Sequence, residues 1–391
     1  MSTRGHTWLA LVGLVGATAA RWGGAQPPAT VRVTDSGPQP NPATWECTAG
    51  HSVEKRKITL DSGGRRYTFQ ISGCQDPSHA GEHPCAEGNF GMPEPTPANW
   101  YWGGFLRVLV NGSDATGRDI KDLRVIEQGM RGAFQTVWAH PDADVGLRLM
   151  MLPGANHVLA ELVWKPTPGV TLQSVGVRLT CYPSFFTAAR QRKGERHCRT
   201  PRTDQSEPTT LTLEPEQDTY LYYYDAVFDV ARGEGDGPCA ALVAPQAVQG
   251  GRVSIGDYAV QTELDLKPEA GEARLAFYDF TGLPNADAES YLRSEAPRDL
   301  AELEQTDFRP EAVRQLDLDQ LRAEALKLLA DAAEDGQALA PQVEELLGRL
   351  GELNAGATRG DWIAEAELAT ALSSSEDLFW KLRAFAALNS P

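Results

Sequence analysis

The feature that most constrains the fold is a long series of short β-prone segments between residues 46 and 283. They recur at roughly 8–12 residues and are separated by Gly, Pro, Asp and Asn. Residues 55–60 and 65–72, for example, flank Asp61-Ser62-Gly63-Gly64, which is a hairpin signal. No helical pattern interrupts the series, and this favours antiparallel sheets packed face to face. The sequence therefore predicts a large antiparallel β-sandwich over residues 46–283, of a size compatible with a supersandwich.

At about residue 284 the pattern changes to helical. Residues 284–391 are rich in Ala, Leu and Glu, and apolar residues such as Leu318, Leu321 and Ala325 recur every three or four positions. This part contains 22 acidic and 10 basic residues, so it carries −12 of the net charge of −17. It is predicted to be an acidic, all-α C-terminal region. Either it packs on the sandwich as a third layer, or it is an independent bundle, with Trp362 and Trp380 as anchors in both cases.

Residues 1–25 are typical of a secretory signal peptide. Arg4 provides the positive start, and residues 8–20 form an apolar stretch. As a helix this stretch spans about 20 Å, short of the roughly 30 Å hydrocarbon core of a bilayer. We therefore expect a secreted or periplasmic protein with no membrane span after signal cleavage. Residues 26–45 are rich in Pro and are predicted to be an extended linker.

The six cysteines all follow the predicted signal, and an even number suits an oxidising compartment. Fifteen pairings are possible. Short loops favour Cys74–Cys85 and Cys181–Cys198, which leaves Cys47–Cys239 by elimination. A zinc site is the alternative for the segment from Cys74 to Cys85, because it also holds His79 and His83. The two interpretations exclude each other, since zinc needs free thiolates.

A basic segment stands out in this acidic chain. It consists of Arg190, Arg192, Lys193, Arg196, Arg199 and Arg202, opposed only by Glu195. Arginine suits a sulfate, carboxylate or phosphate ligand, so an anionic polymer is one candidate partner. The alternative is a structural role, in which the segment faces the acidic helical region. The overall negative charge argues against nucleic acid as a partner.

The aromatic run Trp100-Tyr101-Trp102 is a further candidate binding feature of the sequence. In an extended chain Trp100 and Trp102 point the same way, and exposed paired indoles are suited to stacking on sugar rings. The alternative is a wedge of aromatic side chains that closes one end of the sandwich.

Sequence motifs of enzymes are missing. Carboxylates and histidines on predicted strands or at their ends are Glu127, His140, His157, Glu161, Asp225, Asp229 and Asp279, and a structural role is favoured for each. No nucleophile elbow, zinc-protease motif or phosphate loop occurs, so no catalytic residue, metal or cofactor is predicted. In architecture alone, the chain resembles carbohydrate-active supersandwich proteins of the galactose-mutarotase kind, and no residue is transferred from them.

Three functional hypotheses follow. The first is an exported binding protein that recognises glycans through the sandwich surface, and it is favoured by the aromatic and basic segments. The second is a carbohydrate-active enzyme whose acid and base come from separate strands. The third is a structural component of a cell-envelope assembly that meets a protein partner through the helical region.

Overall fold

The computed structural model describes residues 30–41, 53–74, 89–186, 192–332, 334 and 337–388. The predicted signal peptide, Cys47, Cys85 and Arg190 lie outside these residues, and so does the side chain of Cys74. Within the described residues, no helix is both long enough and apolar enough to cross a membrane.

Nineteen strands are formed by the described residues. They are β1 Arg32–Asn41, β2 Val53–Asp61, β3 Arg66–Cys74, β4 Asn89–Glu94, β5 Leu106–Val110, β6 Ser113–Asp114, β7 Ile120–Glu127, β8 Gly132–Ala139, β9 Ala143–Met151, β10 His157–Pro166, β11 Val175–Cys181, β12 Arg196–Arg199, β13 Asp204–Ser206, β14 Thr209–Thr212, β15 Tyr220–Asp225, β16 Cys239–Val243, β17 Val248–Ile255, β18 Val260–Leu266 and β19 Glu272–Asp279.

These strands form two antiparallel sheets. The first has the order β1-β2-β3-β4-β5-β11-β18-β17-β14, with β6 paired to β5, and the second has the order β13-β12-β15-β16-β19-β10-β9-β8-β7. Their inner faces share one large core, which includes Phe69 and Phe90 from the first sheet and Phe134 and Phe277 from the second. The predicted β-sandwich with an α appendage is confirmed.

The predicted linker is wrong for residues 32–41, which form strand β1. This strand pairs with β2 at the edge of the first sheet, with a register shift between Asp35 and Pro38. An edge strand bonds to one neighbour only, so prolines without an N–H group are tolerated there. A proline-rich composition therefore did not distinguish this strand from a linker.

Five helices are described: α1 Asn285–Gln305, α2 Glu311–Arg314, α3 Leu318–Asp331, α4 Ala340–Thr358 and α5 Trp362–Leu388. Helix α1 covers part of the outer face of the second sheet, where Leu292 and Ala296 join Tyr222 and Tyr278 in a second core. Helices α3, α4 and α5 share a separate cluster that includes Leu329, Val343 and Phe379. The helical region is thus partly a third layer and partly a small bundle.

Helix α5 docks on a row of polar side chains that crosses the second sheet, called the polar row below. It consists of Arg124, Gln135, Arg148, Glu161 and Arg274 on the neighbouring strands β7, β8, β9, β10 and β19. The Trp362 backbone carbonyl accepts from Gln135 Nε2 at 3.1 Å, and Glu365 Oε1 lies 2.9 Å from Arg148 Nη2. Trp362 is therefore an anchor on the sheet, whereas Trp380 is 69% exposed and is not.

Candidate ligand-binding surface

Residues 97–104, which include the aromatic run, form turns between β4 and β5 rather than an extended segment. Trp100 is fully buried, its Nε1 donates to the Tyr278 carbonyl at 2.9 Å, and its ring meets Tyr223 and Phe277 edge-on. The expectation that Trp100 and Trp102 share an exposed stacking face is therefore wrong. Trp100 instead closes the end of the sandwich core, as in the alternative interpretation.

Neighbouring aromatic side chains form a continuous strip on this end of the sandwich. The aromatic strip consists of Tyr101, Trp102, Tyr182, Phe186 and Tyr258. The ring centroids of consecutive members lie 6.1 Å apart for Trp102 and Tyr101, 5.4 Å for Tyr101 and Tyr182, and 5.5 Å for Tyr182 and Tyr258. Phe186 contacts both Tyr101 and Tyr182. The strip runs from part-buried Trp102 to Tyr258, whose side chain is 66% exposed.

Tyr258 is exposed because it sits in the turn between β17 and β18. Gly256 and Ala259 close this turn with a hydrogen bond of 3.0 Å between the Gly256 N–H and the Ala259 carbonyl. The neighbouring Tyr182 has a pKa raised above its usual value by burial and by its hydrogen bond with Tyr258. Its phenol is therefore neutral at physiological pH and can serve as a hydrogen-bonding group.

An open groove of about 570 Å³ lies beside Tyr258. It is lined by Pro208, Thr209, Thr210, Ser254, Ile255, Gly256, Asp257, Tyr258, Ala259 and Gln261. The lining residues thus include two threonines, one serine, one glutamine and one aspartate beside a single exposed aromatic side chain. Among these lining residues Asp257 is the one carboxylate, so the groove does not present the paired carboxyl groups that most glycoside hydrolases require.

Arg196 positions the turn that carries Tyr258. Its side chain is fully buried; Nη1 donates to the Asp257 carbonyl at 2.5 Å and Nη2 donates to the Phe185 carbonyl at 3.0 Å. The guanidinium also lies 5.7 Å from the centroid of the Tyr182 ring. The sequence predicts Arg196 as a ligand contact, whereas in the structure it is buried beneath the aromatic strip, where it holds two segments together.

The other described members of the basic segment have carboxylate partners. Arg192 forms an ion pair with Glu234, and the amino group of Lys193 lies 3.9 Å from the Glu207 carboxylate. Arg199 forms ion pairs with Asp204 and with Glu289 of α1. Arg202 forms ion pairs with Asp218 and Glu214. The contact with Glu289 shows that part of the segment does face the acidic helices. Lys193, at 74% side-chain exposure, is the member most open to an external anion among those described.

The described cysteines are free. Cys181, Cys198 and Cys239 are buried thiols, so the predicted Cys181–Cys198 bridge is wrong and Cys239 does not form its predicted bridge either. Cys181 ends a strand of the first sheet, whereas Cys198 and Cys239 belong to the second, so a short sequence separation does not place them in one loop. Burial raises the pKa of Cys198 and Cys239, which keeps them as unreactive thiols. The Cys74–Cys85 pairing lies outside the described residues.

The carboxylates weighed as catalytic groups have structural partners. Glu127 forms an ion pair with Arg131. Asp225 accepts hydrogen bonds from the backbone N–H groups of Val227 and Phe228, and Asp229 accepts from those of Ala231 and Asn285. Asp279 accepts hydrogen bonds from Asn99 Nδ2 and from the Thr281 N–H. Glu161 belongs to the polar row, and His140 Nδ1 accepts from the Asp142 N–H at 3.1 Å. None of them lines the groove beside Tyr258.

Comparison with known proteins gives no family. No family model matches the chain, and no curated protein matches it. Among solved structures, the α-galactosidase AgaB of family GH36 from Geobacillus stearothermophilus is 10% identical over 57% of this chain and 39% of its own length, with a TM-score of 0.32. The chain thus spans about two fifths of that hydrolase. A TPR-domain protein from Parabacteroides distasonis is 10% identical over 89% of this chain and 80% of its own, with a TM-score of 0.37.

Proposed function

We propose that this chain is an exported glycan-binding protein that holds a sugar ring against Tyr258 in the groove between residues 208–210 and 254–261. The observation that carries the proposal is the 66% exposed side chain of Tyr258 in a groove lined by Thr, Ser, Gln and Asp residues. A sugar ring offers an apolar face for an aromatic partner and hydroxyl groups for polar ones, so this combination suits it. Tyr258 takes the role that the sequence had assigned to Trp100 and Trp102.

Rigid support of Tyr258 strengthens the proposal. The turn is tied to the buried Arg196 by its backbone carbonyls, and the Tyr258 ring rests edge-on against Tyr182. A ring that is already ordered loses little conformational freedom on binding, and this favours affinity. Binding rather than catalysis is favoured because the groove holds one carboxylate among its described lining residues.

Binding of the purified protein to neutral and anionic glycans at two salt concentrations tests the proposal. We expect binding to neutral glycans to be insensitive to salt, and Tyr258→Ala to weaken it about tenfold, or about 1.4 kcal/mol. Tyr258→Phe keeps the ring and is expected to bind nearly as well as the wild type. Trp380→Ala removes an equally exposed aromatic side chain far along the helical region and serves as the matched control.

Two results would redirect the proposal. Salt-sensitive binding to sulfated chains that survives Tyr258→Ala and is lost in Lys193→Ala would move the site to the basic segment. Equal binding by the wild type and Tyr258→Ala on every glycan would exclude the groove as a sugar site.

A further inference from the structure

A buried histidine faces two carboxylates where helix α1 crosses the second sheet. His157 begins β10, and Asp299 and Glu302 lie three residues apart on α1, so they share one face of that helix. One ligand atom from each of the three side chains lies within 4.8 Å of the others. His157 Nδ1 and Asp299 Oδ2 are 3.6 Å apart. That separation is too long for a hydrogen bond but matches two ligands of one ion at about 2.0–2.2 Å from each.

His157 has no other partner for its polar atoms among the described residues. The residue is 3% exposed, and neither Nδ1 nor Nε2 has a hydrogen-bond partner. A buried polar group left unpaired loses its hydrogen bonds to water without replacement, so an imidazole in this position needs an explanation. A cation between Nδ1 and the carboxylates would supply a partner to one of the two nitrogens.

The surroundings of Asp299 fit a ligand that is held in place. Asp299 is fully buried; its Oδ2 accepts from the Tyr278 hydroxyl at 2.5 Å, and its Oδ1 accepts from Arg298 Nε at 3.0 Å. Ligating carboxylates are commonly oriented by such second hydrogen bonds. Glu302 is only half-buried, so it leaves a path from solvent to the cluster.

We propose that His157, Asp299 and Glu302 bind a divalent first-row transition metal ion, with zinc as the preferred ion. One imidazole nitrogen and two carboxylate oxygens make a ligand set that zinc accepts, and three protein ligands leave a fourth position for water. The ion would join a strand of the sandwich to the first helix of the helical region. Its role is then structural, because it holds α1 on the outer face of the second sheet. This site lies apart from the groove beside Tyr258 and does not depend on the proposed glycan binding.

Metal content and thermal stability of the full chain test this site. After chelation and removal of the chelator, the wild type is expected to take up one zinc ion per chain at these ligands and to gain thermal stability with it. Glu302→Gln removes one ligand oxygen with little change of shape and is expected to weaken zinc binding roughly tenfold or more. Glu304→Gln alters an exposed glutamate on the same helix and is the matched control.

Cobalt distinguishes this cluster from the cysteine- and histidine-containing segment near Cys74. A nitrogen–oxygen set gives a cobalt spectrum without the intense sulfur-to-metal band of thiolate ligands. The proposal is overturned if the chelated wild type takes up no zinc or cobalt, if its bound cobalt shows the thiolate band alone, or if Glu302→Gln and Glu304→Gln bind the ion equally well. Circular dichroism of each variant confirms that it is folded before binding is compared.

Discussion

At the scale of single residues, the outer face of the second sheet contains a buried carboxylate, Glu161, without a partner at hydrogen-bonding distance. Glu161 is 8% exposed, and its carboxylate oxygens lie 3.9 Å from Arg148 Nη1 and 3.6 Å from Arg274 Nη2. These distances exceed hydrogen-bonding range, so the two guanidinium groups offset only part of the loss of hydration. Burial accordingly raises the pKa of Glu161 to about 7, against the lowering effect of both arginines.

The raised pKa of Glu161 predicts a pH dependence of stability. The unfolded chain releases this proton near pH 4.5 and the folded chain near pH 7, so the folded state binds more protons between these values. The contribution of Glu161 to stability is therefore full at low pH and is lost as the pH rises through 7. The charged groups around it are Arg148, Arg274, Glu272 and Glu365.

We expect Glu161→Gln to remove this part of the pH dependence. Relative to the wild type, the variant should gain roughly 2–3 kcal/mol of unfolding free energy between pH 5 and pH 9. Urea denaturation of both proteins at several pH values measures the difference. Glu272→Gln, at an exposed position beside Arg274, is the control and should follow the wild type. Parallel curves for wild type and Glu161→Gln would show that Glu161 titrates normally.

Residue roles were predictable where they depend on the local chain and not where they depend on distant segments. The alternation of a strand over residues 220–225 predicts that Tyr220, Tyr222 and Tyr224 share one face, and in β15 Tyr222 joins the core with α1 while the other two pack against it. For Tyr258 the β pattern of residues 258–266 predicts a place on a strand, whereas it lies in the turn closed by Gly256 and Ala259. The contact between His157 and Asp299 joins a strand to a helix far along the sequence, and one sequence alone does not show such pairs.

At the scale of elements, α5 begins earlier than a capping pattern within its own sequence predicts. Ser373 and Glu376 resemble a capping box, which predicts a helix beginning there. The structure has one helix from Trp362 to Leu388, and its first turn is capped by Asp361, whose Oδ1 accepts from the Ile363 and Ala364 N–H groups. Pro310 and Pro341 also predict helix starts, since a proline there loses no helical hydrogen bond. Pro310 directly precedes α2, and Pro341 lies in the first turn of α4.

Strands β13, β14 and β17 have polar or irregular sequences, so a strand pattern does not predict them. β13 and β14 are short, polar and at sheet edges, so they lack a buried face that would reveal alternation. β17 contains Gly250 and Gly251 at a register shift. A Cβ on Gly251 would lie 2.6 Å from the Glu263 carbonyl oxygen, so this glycine permits close strand pairing rather than marking a turn.

The two tryptophans of α5 give a prediction at this scale. The Trp362 ring lies over Gly146 of β9, where an added Cβ would meet it at 3.3 Å. Trp362→Ala should therefore leave a cavity between α5 and the sheet and lower the unfolding free energy by about 2–3 kcal/mol. Trp380→Ala, at a 69% exposed position on the same helix, should change it by less than about 0.5 kcal/mol.

Chemical denaturation measures both variants, and hydrogen exchange of α5 reports whether the helix loosens locally. Equal stability of the two variants would mean that Trp362 does not anchor the helix. A global loss without faster exchange in α5 would place the effect of Trp362 elsewhere.

At the scale of the whole molecule, the second sheet is covered on both faces. Its inner face packs on the first sheet, and its outer face is covered by apolar packing with α1 at one side and by contacts of the polar row with α5 at the other. The change of composition at residue 284 therefore marks where the acidic helical region begins. The β-sandwich and the helical region nevertheless pack against each other and are not independent domains. The acidic helices complete the sandwich, in addition to any role as a partner surface.

Truncation distinguishes the two kinds of coverage. A chain that ends at Leu283 loses α1 and exposes the outer-face core, which includes Leu159, Tyr222 and Tyr278. An apolar patch of this kind promotes association, so we expect aggregation or a strongly lowered unfolding temperature. A chain that ends at Pro310 keeps α1 and exposes mainly the polar row, which water can solvate, and it should stay soluble and monomeric.

Light scattering and thermal unfolding of both truncated chains measure the difference in association and in stability. If the chain ending at Leu283 were monodisperse and as stable as the longer one, the sandwich would be complete without its helices, and the helical region would be a separate partner-binding unit.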